Sequence, residues 1–301
     1  MLTVILCAIV FIGTYALLVT IRDMVAHREE IRNAPGRLPL QLLNSFVIYF
    51  LAAFGISDFA LCTVIYSKTG WSTTRDLPGT LNTQGLVALM IMSLTYITSI
   101  EIALPTLLLF FCTQTIGSYL GPRASMRLRL STLKYAMSAG LLMAGLFILA
   151  SKLGWIAGVG TATALHGWKL AALGLLGLAL GVFKAMGIGS YPLTMAFVYI
   201  SGLSPLVTYP LMMGASALSN PVAVLQFVKL GTYSRRIALC SFTAGAAGAL
   251  IAVSAVKNMN VASLQWVVLL VVLFASFDMF RTARKQRRME TLEQTEEIKP
   301  V

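Results

Sequence analysis

The sequence predicts an all-α, polytopic helical membrane protein with two inverted repeats, each a broken or re-entrant element plus three transmembrane helices, preceded by one extra N-terminal helix. Three observations predict it. Of 301 residues, 57% are hydrophobic and 11% charged, with a mean hydropathy of +0.82, which leaves too little polar surface to cover a soluble globule of this length. Two long apolar runs carry glycine-bearing breaks, at Gly55-Ile-Ser-Asp-Phe59 and Gly187-Ile-Gly-Ser-Tyr-Pro192. The basic residues, finally, sort cleanly to one side of a bilayer only if those breaks turn the chain back.

Residues 1–39 read as an anchor and a basic loop. Leu2 to Ile21 is about 20 apolar residues, enough to cross a bilayer at roughly 1.5 Å per residue. With no basic leader and no small-x-small cleavage site, it is expected to be retained. Arg22 to Arg37 follows as a polar, basic loop closed by a Pro35-Gly36 turn.

The first repeat, 40–152, opens on the apolar run Leu40 to Tyr66. Gly55 interrupts it, because glycine raises the entropic cost of a helix and favours turns. A polar loop through Trp71 and Pro78-Gly79 leads to spans at Gln84 to Thr98, Ile102 to Leu120 and Leu133 to Ala150. The second repeat, 153–280, has the same order: a broken run from Lys169 to Ile200, then spans at Leu206 to Val228, Ile237 to Val256 and Val261 to Phe280. Here a glycine pair precedes Pro192, which also removes a backbone donor. Gly55-Ile56 lies 132 positions before Gly187-Ile188, Ile102-Ala-Leu104 lies 135 before Ile237-Ala-Leu239, and Gly117 lies 131 before Gly248. The similar offsets and shared element order predict an internal duplication. The tail, 281–301, is basic and then acidic and reads as a solvated helical extension.

Charge chooses between crossing and re-entry. If both broken elements cross fully, 14 basic residues fall on one side and 7 on the other; if both return to the side they entered from, the division is 19 to 2. The re-entrant arrangement makes the repeats inverted and gives seven full crossings, with the amino terminus outside and the carboxy terminus cytoplasmic in a plasma membrane. Glu101 then falls on the sparsely charged outer side.

Several classes of chemistry are absent. The sequence has no HExxH, GxSxG, Walker loop or paired His-Cys set, so no enzyme, metal site or cofactor is expected. Cys7, Cys62, Cys112 and Cys240 lie in apolar runs without metal-binding spacing and read as buried hydrophobes. The net charge of +12 is dispersed in short clusters between apolar runs, which suits anionic lipid headgroups rather than nucleic acid.

The residues that can carry chemistry gather at the breaks. Lys184, three residues before Gly187, would be costly facing lipid and is expected to bind an anion or pair with a carboxylate. Asp58, in the first break, can carry a proton, hold a coupling cation, or pair with Lys184. The helix starts at Ser57 to Phe59 and Ser190-Tyr191 present free amides, which favour anions, toward the midplane. Asn220, beside Pro221, is the most exposed to a role among the other span residues, since proline opens the helix for cross-helix hydrogen bonds. The candidate substrate-binding set is therefore Gly55, Ser57, Asp58, Lys184, Gly187, Gly189, Ser190, Tyr191, Pro192 and Asn220.

Gly181-Val-Phe-Lys-Ala-Met-Gly-Ile-Gly-Ser-Tyr-Pro192, Val207-Thr-Tyr-Pro-Leu-Met-Met-Gly-Ala-Ser216 and the basic Lys229 to Arg236 loop resemble the TauE/SafE sulfite exporter family of membrane permeases. The likeness covers Lys169 to Val256 and, more faintly, Leu40 to Leu120. It maps Gly187, Gly189 and Pro192 onto the family's Gly-Ile-Gly-Gly-type motif and proline, with Gly55 as the first-half counterpart. Where that pattern often continues with glycine, this chain has Ser190 and Tyr191, and Asp58 in the other copy. The resemblance implies a duplicated helical permease moving sulfite, a sulfonate or another small organic anion by alternating access. The alternative is a passive anion channel through the same constriction.

Overall fold

The computed structural model describes residues 2–155, 161–255, 269–270, 273, 276–277 and 279–289. Among them regular structure is helical, apart from one isolated parallel bridge between Ala162 and Leu203. The helices are α1 (Leu2–Ala26), α2 (Arg28–Asn33), α3 (Leu38–Ala52), α4 (Asp58–Thr69), α5 (Leu77–Gln84), α6 (Leu86–Ser99), α7 (Leu104–Arg127), α8 (Leu130–Lys152), α9 (Gly167–Ala185), α10 (Tyr191–Ser201), α11 (Thr208–Leu230), α12 (Arg235–Cys240) and α13 (Ala246–Ala255). A 3-10 turn, Pro205–Val207, leads into α11, and a π-helical segment, Ser241–Gly245, joins α12 to α13. Among the described residues four helices are long and apolar enough to cross a bilayer, and the α5–α6 pair, bent by 44° at Gly85, makes a fifth candidate.

α1 shows how composition becomes architecture. Ile5, Ile9, Gly13, Ala16, Thr20 and Met24 recur every three or four residues and bury one stripe, with the Met90 side chain seated on Gly13. The other faces expose Val4, Phe11, Leu18 and Val25, apolar residues suited to lipid and not to water. At about 1.5 Å per residue the helix is roughly 37 Å long, so it measures the depth of the molecule.

Both broken elements return on themselves. Around the second, Ser204 N donates to Ala162 O (2.8 Å) and the Lys169 ammonium to Ser201 O (3.0 Å), so the chain entering α9 lies beside the chain leaving α10. Around the first, Gly36, just before α3, packs on the Trp71 indole just after α4, and Asn44 faces the Tyr66 hydroxyl at 3.5 Å. The turns are made by Gly55 (φ +82) and Gly187 (φ +90), a region an L side chain rarely adopts. α9 ends with Ile188 N donating to Phe183 O (2.9 Å), the six-to-one bond of a glycine-terminated helix.

The two hairpin bases sit at opposite ends of α1. Leu2 shares a cavity with Glu101, Ala103 and Thr163, and Ala103 N donates to Thr163 O, next to the base of the second hairpin. At the far end, Asp23 holds Arg235, while the Arg236 guanidinium donates to Ala34 O (2.6 Å) and Gly36 O (3.0 Å) at the base of the first. Arg75 joins that same end by donating to Met126 O (2.6 Å).

Glycines set the crossings between the halves. Gly117 of α7 lies on the Leu178 carbonyl of α9, and Gly248 of α13 lies on the Phe46 carbonyl of α3; a Cβ at either would collide with backbone. The small-residue run Ala244 to Gly248 is thus a packing surface, as its composition suggests.

Three expectations need correction. Pro78-Gly79 is helix rather than loop: Pro78 occupies the first turn of α5, where its missing donor costs nothing, and Gly79 stays bare because the Thr232 carbonyl abuts it. The basic stretch after Ile21 is likewise helical, as the end of α1 and α2. Cys62 and Cys240 are buried, but Cys7 and Cys112 are exposed, on outward faces of α1 and α7 where an apolar residue meets lipid. Most of the expected Val261 to Phe280 span and the acidic end of the tail lie outside the described residues.

Candidate functional site

The two hairpin tips touch at the centre of the molecule. A Cβ on Gly189 would stand 2.5 Å from Ser57 Oγ and 3.4 Å from Phe59 Cβ, so the absence of a side chain there is what lets the tips meet. Each turn glycine also packs on the opposite half. Gly55 faces Met195, Tyr209 and Met212 of α10 and α11; Gly187 faces Met137, Leu81 and the Pro78 backbone of α8 and α5.

Ser57 caps α4, its Oγ accepting from Ala60 N at 3.3 Å. Asp58 follows as the first residue of α4 and is 1% exposed. Lys184, in the last turn of α9, is also 1% exposed, with its Nζ 5.9 Å from the centroid of the Phe59 ring. The two charges interact, yet Lys184 Nζ has no hydrogen-bond partner and Asp58 Oδ2 has none either. A buried ammonium and a buried carboxylate so placed are costly unless further polar groups complete them.

Such groups lie close by. Asn82 of α5 donates through Nδ2 to Lys184 O (3.2 Å) and Pro78 O (2.8 Å), and Asn220 of α11 donates to Asn82 O (3.2 Å). Asn82 Oδ1, Thr83 Oγ1 and Asn220 Oδ1 are buried without partners. Polar atoms in protein interiors are almost always satisfied, so these atoms have capacity for a further polar partner.

Of the ten residues expected from sequence, Ser57, Asp58, Lys184 and Gly189 gather at the tip contact, Asn220 joins through Asn82, and Gly187 shapes its turn against Met137, Leu81 and Pro78. Ser190 and Tyr191 begin α10 as expected and are buried, with the Tyr191 hydroxyl donating to Met213 Sδ (3.3 Å). Pro192 takes the second position of α10, and Gly55 shapes its turn from beneath without touching the other tip.

No family model, no curated protein and no solved structure matches this chain. The site is therefore read from its own geometry. No group of three or more His, Cys, Asp or Glu residues suited to a metal occurs among the described residues.

Two features escape sequence reading. Tyr49, fully buried on α3, brings its ring beside Gly245 and its hydroxyl beside Gly85, which only the folded contact reveals. The second is an ionic cluster at the far end of α1. Arg235 donates to Asp23 (Nε to Oδ2, 2.8 Å) and to Glu30, and the Tyr233 hydroxyl donates to the same Asp23 oxygen. An acid at the end of one span and a basic pair at the start of another were the available signal, but nothing local in the sequence pairs them.

Proposed function

We propose that the protein is a secondary transporter of a small organic or sulfur-containing anion, such as sulfite or a sulfonate, working by alternating access at two opposed helix breaks. One observation carries the reading: a buried, unpartnered Lys184 ammonium beside the point where two returning helix tips meet. Charged groups at that depth in an apolar helical protein belong to solute paths far more often than to packing.

Inverted repeats are part of the proposal. Their supports are the hairpin bases at opposite ends of α1 and the matched contacts of Gly117 with Leu178 and of Gly248 with Phe46. The basic residues crowd the end holding the first hairpin's base, and by the positive-inside rule that end is cytoplasmic in a plasma membrane, with the amino terminus outside. The sequence has no phosphate-binding loop, so the driving force is a gradient, with a coupling proton or cation at Asp58. Sulfur oxyanions as ligands rest on the likeness to TauE/SafE permeases.

The test is ligand-dependent thermal stabilisation of the purified protein by sulfite, thiosulfate, sulfonates and carboxylates, in wild type and Lys184→Met. Stabilisation by one anion, lost in the folded variant, is expected; unchanged binding by that variant removes Lys184 from the site. Uphill accumulation in proteoliposomes separates a transporter from a passive channel through the same constriction.

A further inference from the structure

α8, whose Met137 packs on Gly187 of the second tip, lies against the helical residues 276–277 and 279–289. Ser138 Oγ donates to Ser276 O (2.8 Å) and Ser276 Oγ to Ser138 O (2.9 Å), a reciprocal pair that fixes their register. One turn on, toward the start of α8 and the end of the chain, the Tyr135 and Phe280 rings meet edge-on with centroids 5.5 Å apart. Two contacts a turn apart fix rotation as well as register, so the side chains beyond them project in a set direction.

Those side chains form an open cavity of about 880 Å³, lined by Tyr135, Phe280, Arg281, Arg284, Lys285, Arg287 and Arg288. Arg281, Arg284, Lys285 and Arg288 recur at three- and four-residue spacing and so share a helical face, while the Arg281 guanidinium also stands 5.5 Å from the Phe277 ring centroid. Like charges one turn apart repel, and no carboxylate is among the described lining residues. A shared counter-anion relieves that repulsion. Guanidinium forks match phosphate oxygens in pairs, and the volume exceeds what a bare phosphate needs, with aromatic surface left for an attached group.

We propose that this cavity binds a phosphate monoester or diester, with Arg284, Lys285 and Arg288 on the phosphate oxygens and Tyr135 and Phe280 against the esterified group. The chemistry is common to a phospholipid headgroup and a free phosphate ester. It is independent of the site at the tips and of what that site carries.

The experiment uses the full chain purified in neutral detergent. Native mass spectrometry and thermal unfolding follow titration with dioleoylphosphatidylglycerol, with dioleoylphosphatidylcholine, and with soluble glycerol 1-phosphate. Phosphatidylglycerol should saturate at one molecule per chain, and the variant R284Q/K285Q/R288Q should bind it about a hundredfold more weakly. R28Q/R32Q/R37Q removes equal charge elsewhere and should retain binding. Competition by glycerol 1-phosphate identifies a free phosphate ester as sufficient; its failure beside tight phosphatidylglycerol binding identifies the lipid. Equal losses in the two triple variants, or no preference for either phosphate probe over phosphatidylcholine, overturn the proposal. Should R284Q/K285Q/R288Q not fold, R284K/R288K keeps the charge and removes the forks: about tenfold weaker binding supports the site, and wild-type binding overturns it.

Discussion

If the tips meet at Gly189 and Ser57, a methyl group on Gly189 must disturb Ser57 before anything else. The added Cβ would lie 2.5 Å from Ser57 Oγ, roughly 1 Å short of ordinary contact, but 3.8 Å from Ser57 Cβ, which is comfortable. Gly189 is outside the left-handed region, so alanine brings no backbone strain. The cheapest escape is rotation of the Ser57 hydroxyl, which breaks its bond with Ala60 N and costs about 1 kcal/mol, the worth of a helix cap. Holding the rotamer instead costs about 1–3 kcal/mol in overpacking. Gly189→Ala should therefore destabilise by about 1–2 kcal/mol, and Ser57→Ala by about 1 kcal/mol through the lost cap. The double variant should also lose only about 1 kcal/mol, because without Oγ the methyl has room and the cap is lost only once. Unfolding of the purified chain in mixed micelles of sodium dodecyl sulfate and a mild detergent, followed by circular dichroism, measures all three. A double variant at the sum of the singles would refute the contact between the tips.

Other features yield equally direct tests. Ala162→Cys with Leu203→Cys, in a chain whose own cysteines are replaced by serine, should form a disulfide on mild oxidation, because bridge-paired residues have the right separation; failure to cross-link would contradict the closed base of the second hairpin. Arg235→Met should cost about 2–3 kcal/mol in the same unfolding assay, since it leaves Asp23, 14% exposed, without its guanidinium and held only by Tyr233 and the His27 imidazole. Glu30→Gln should cost under about 1 kcal/mol, Glu30 being 57% exposed, and a larger loss there than at Arg235 would show that the cluster is misread. On the proposed function, Asp58→Asn removes a negative charge beside Lys184 and should tighten anion binding by about tenfold in equilibrium titration, whereas unchanged or weaker binding would show that the carboxylate does not oppose the anion.

Period and punctuation made much of the fold legible before any coordinate. The breaks at Gly55 and Gly187 needed only the conformational preferences of glycine. Lys184 and Asp58 stood out because charge is scarce in apolar runs. What escaped was set by contacts between segments distant in the chain. Pro78-Gly79 looks like a loop locally, and becomes helix because the Thr232 carbonyl packs where a side chain would be. Asn82 is a polar residue beside an apolar run, but its bond to the Lys184 carbonyl, which ties α5 to the second tip, depends on tertiary packing. Tyr49 reads as an ordinary aromatic in a hydrophobic run, and its place between Gly85 and Gly245 exists only once α3, α6 and the π-helical segment have come together.

The charges at the two tips differ, and on the proposed duplication the difference bears on how such a scaffold would gain polarity. At the offset relating Gly55 to Gly187, the counterpart of Lys184 is Ala52, and the counterpart of Asp58 is Ser190; all four are buried. Each half therefore contributes one charge where its partner half has a small, uncharged residue, and the signs are opposite. Were both halves to carry the lysine, two ammonium groups would be buried near one point; were both to carry the aspartate, two carboxylates would be, and either arrangement is strongly disfavoured at low dielectric. One of each is tolerated, because the pair attracts. Neither Lys184 Nζ nor Asp58 Oδ2 has a hydrogen-bond partner, so on the proposed function Lys184 would favour an anion and Asp58 would resist one. Two similar hairpins thus meet at a centre that is electrically uneven. On the proposed function, an anion held there would be pulled toward one tip and repelled from the other, and any motion that separates the tips would change both forces together.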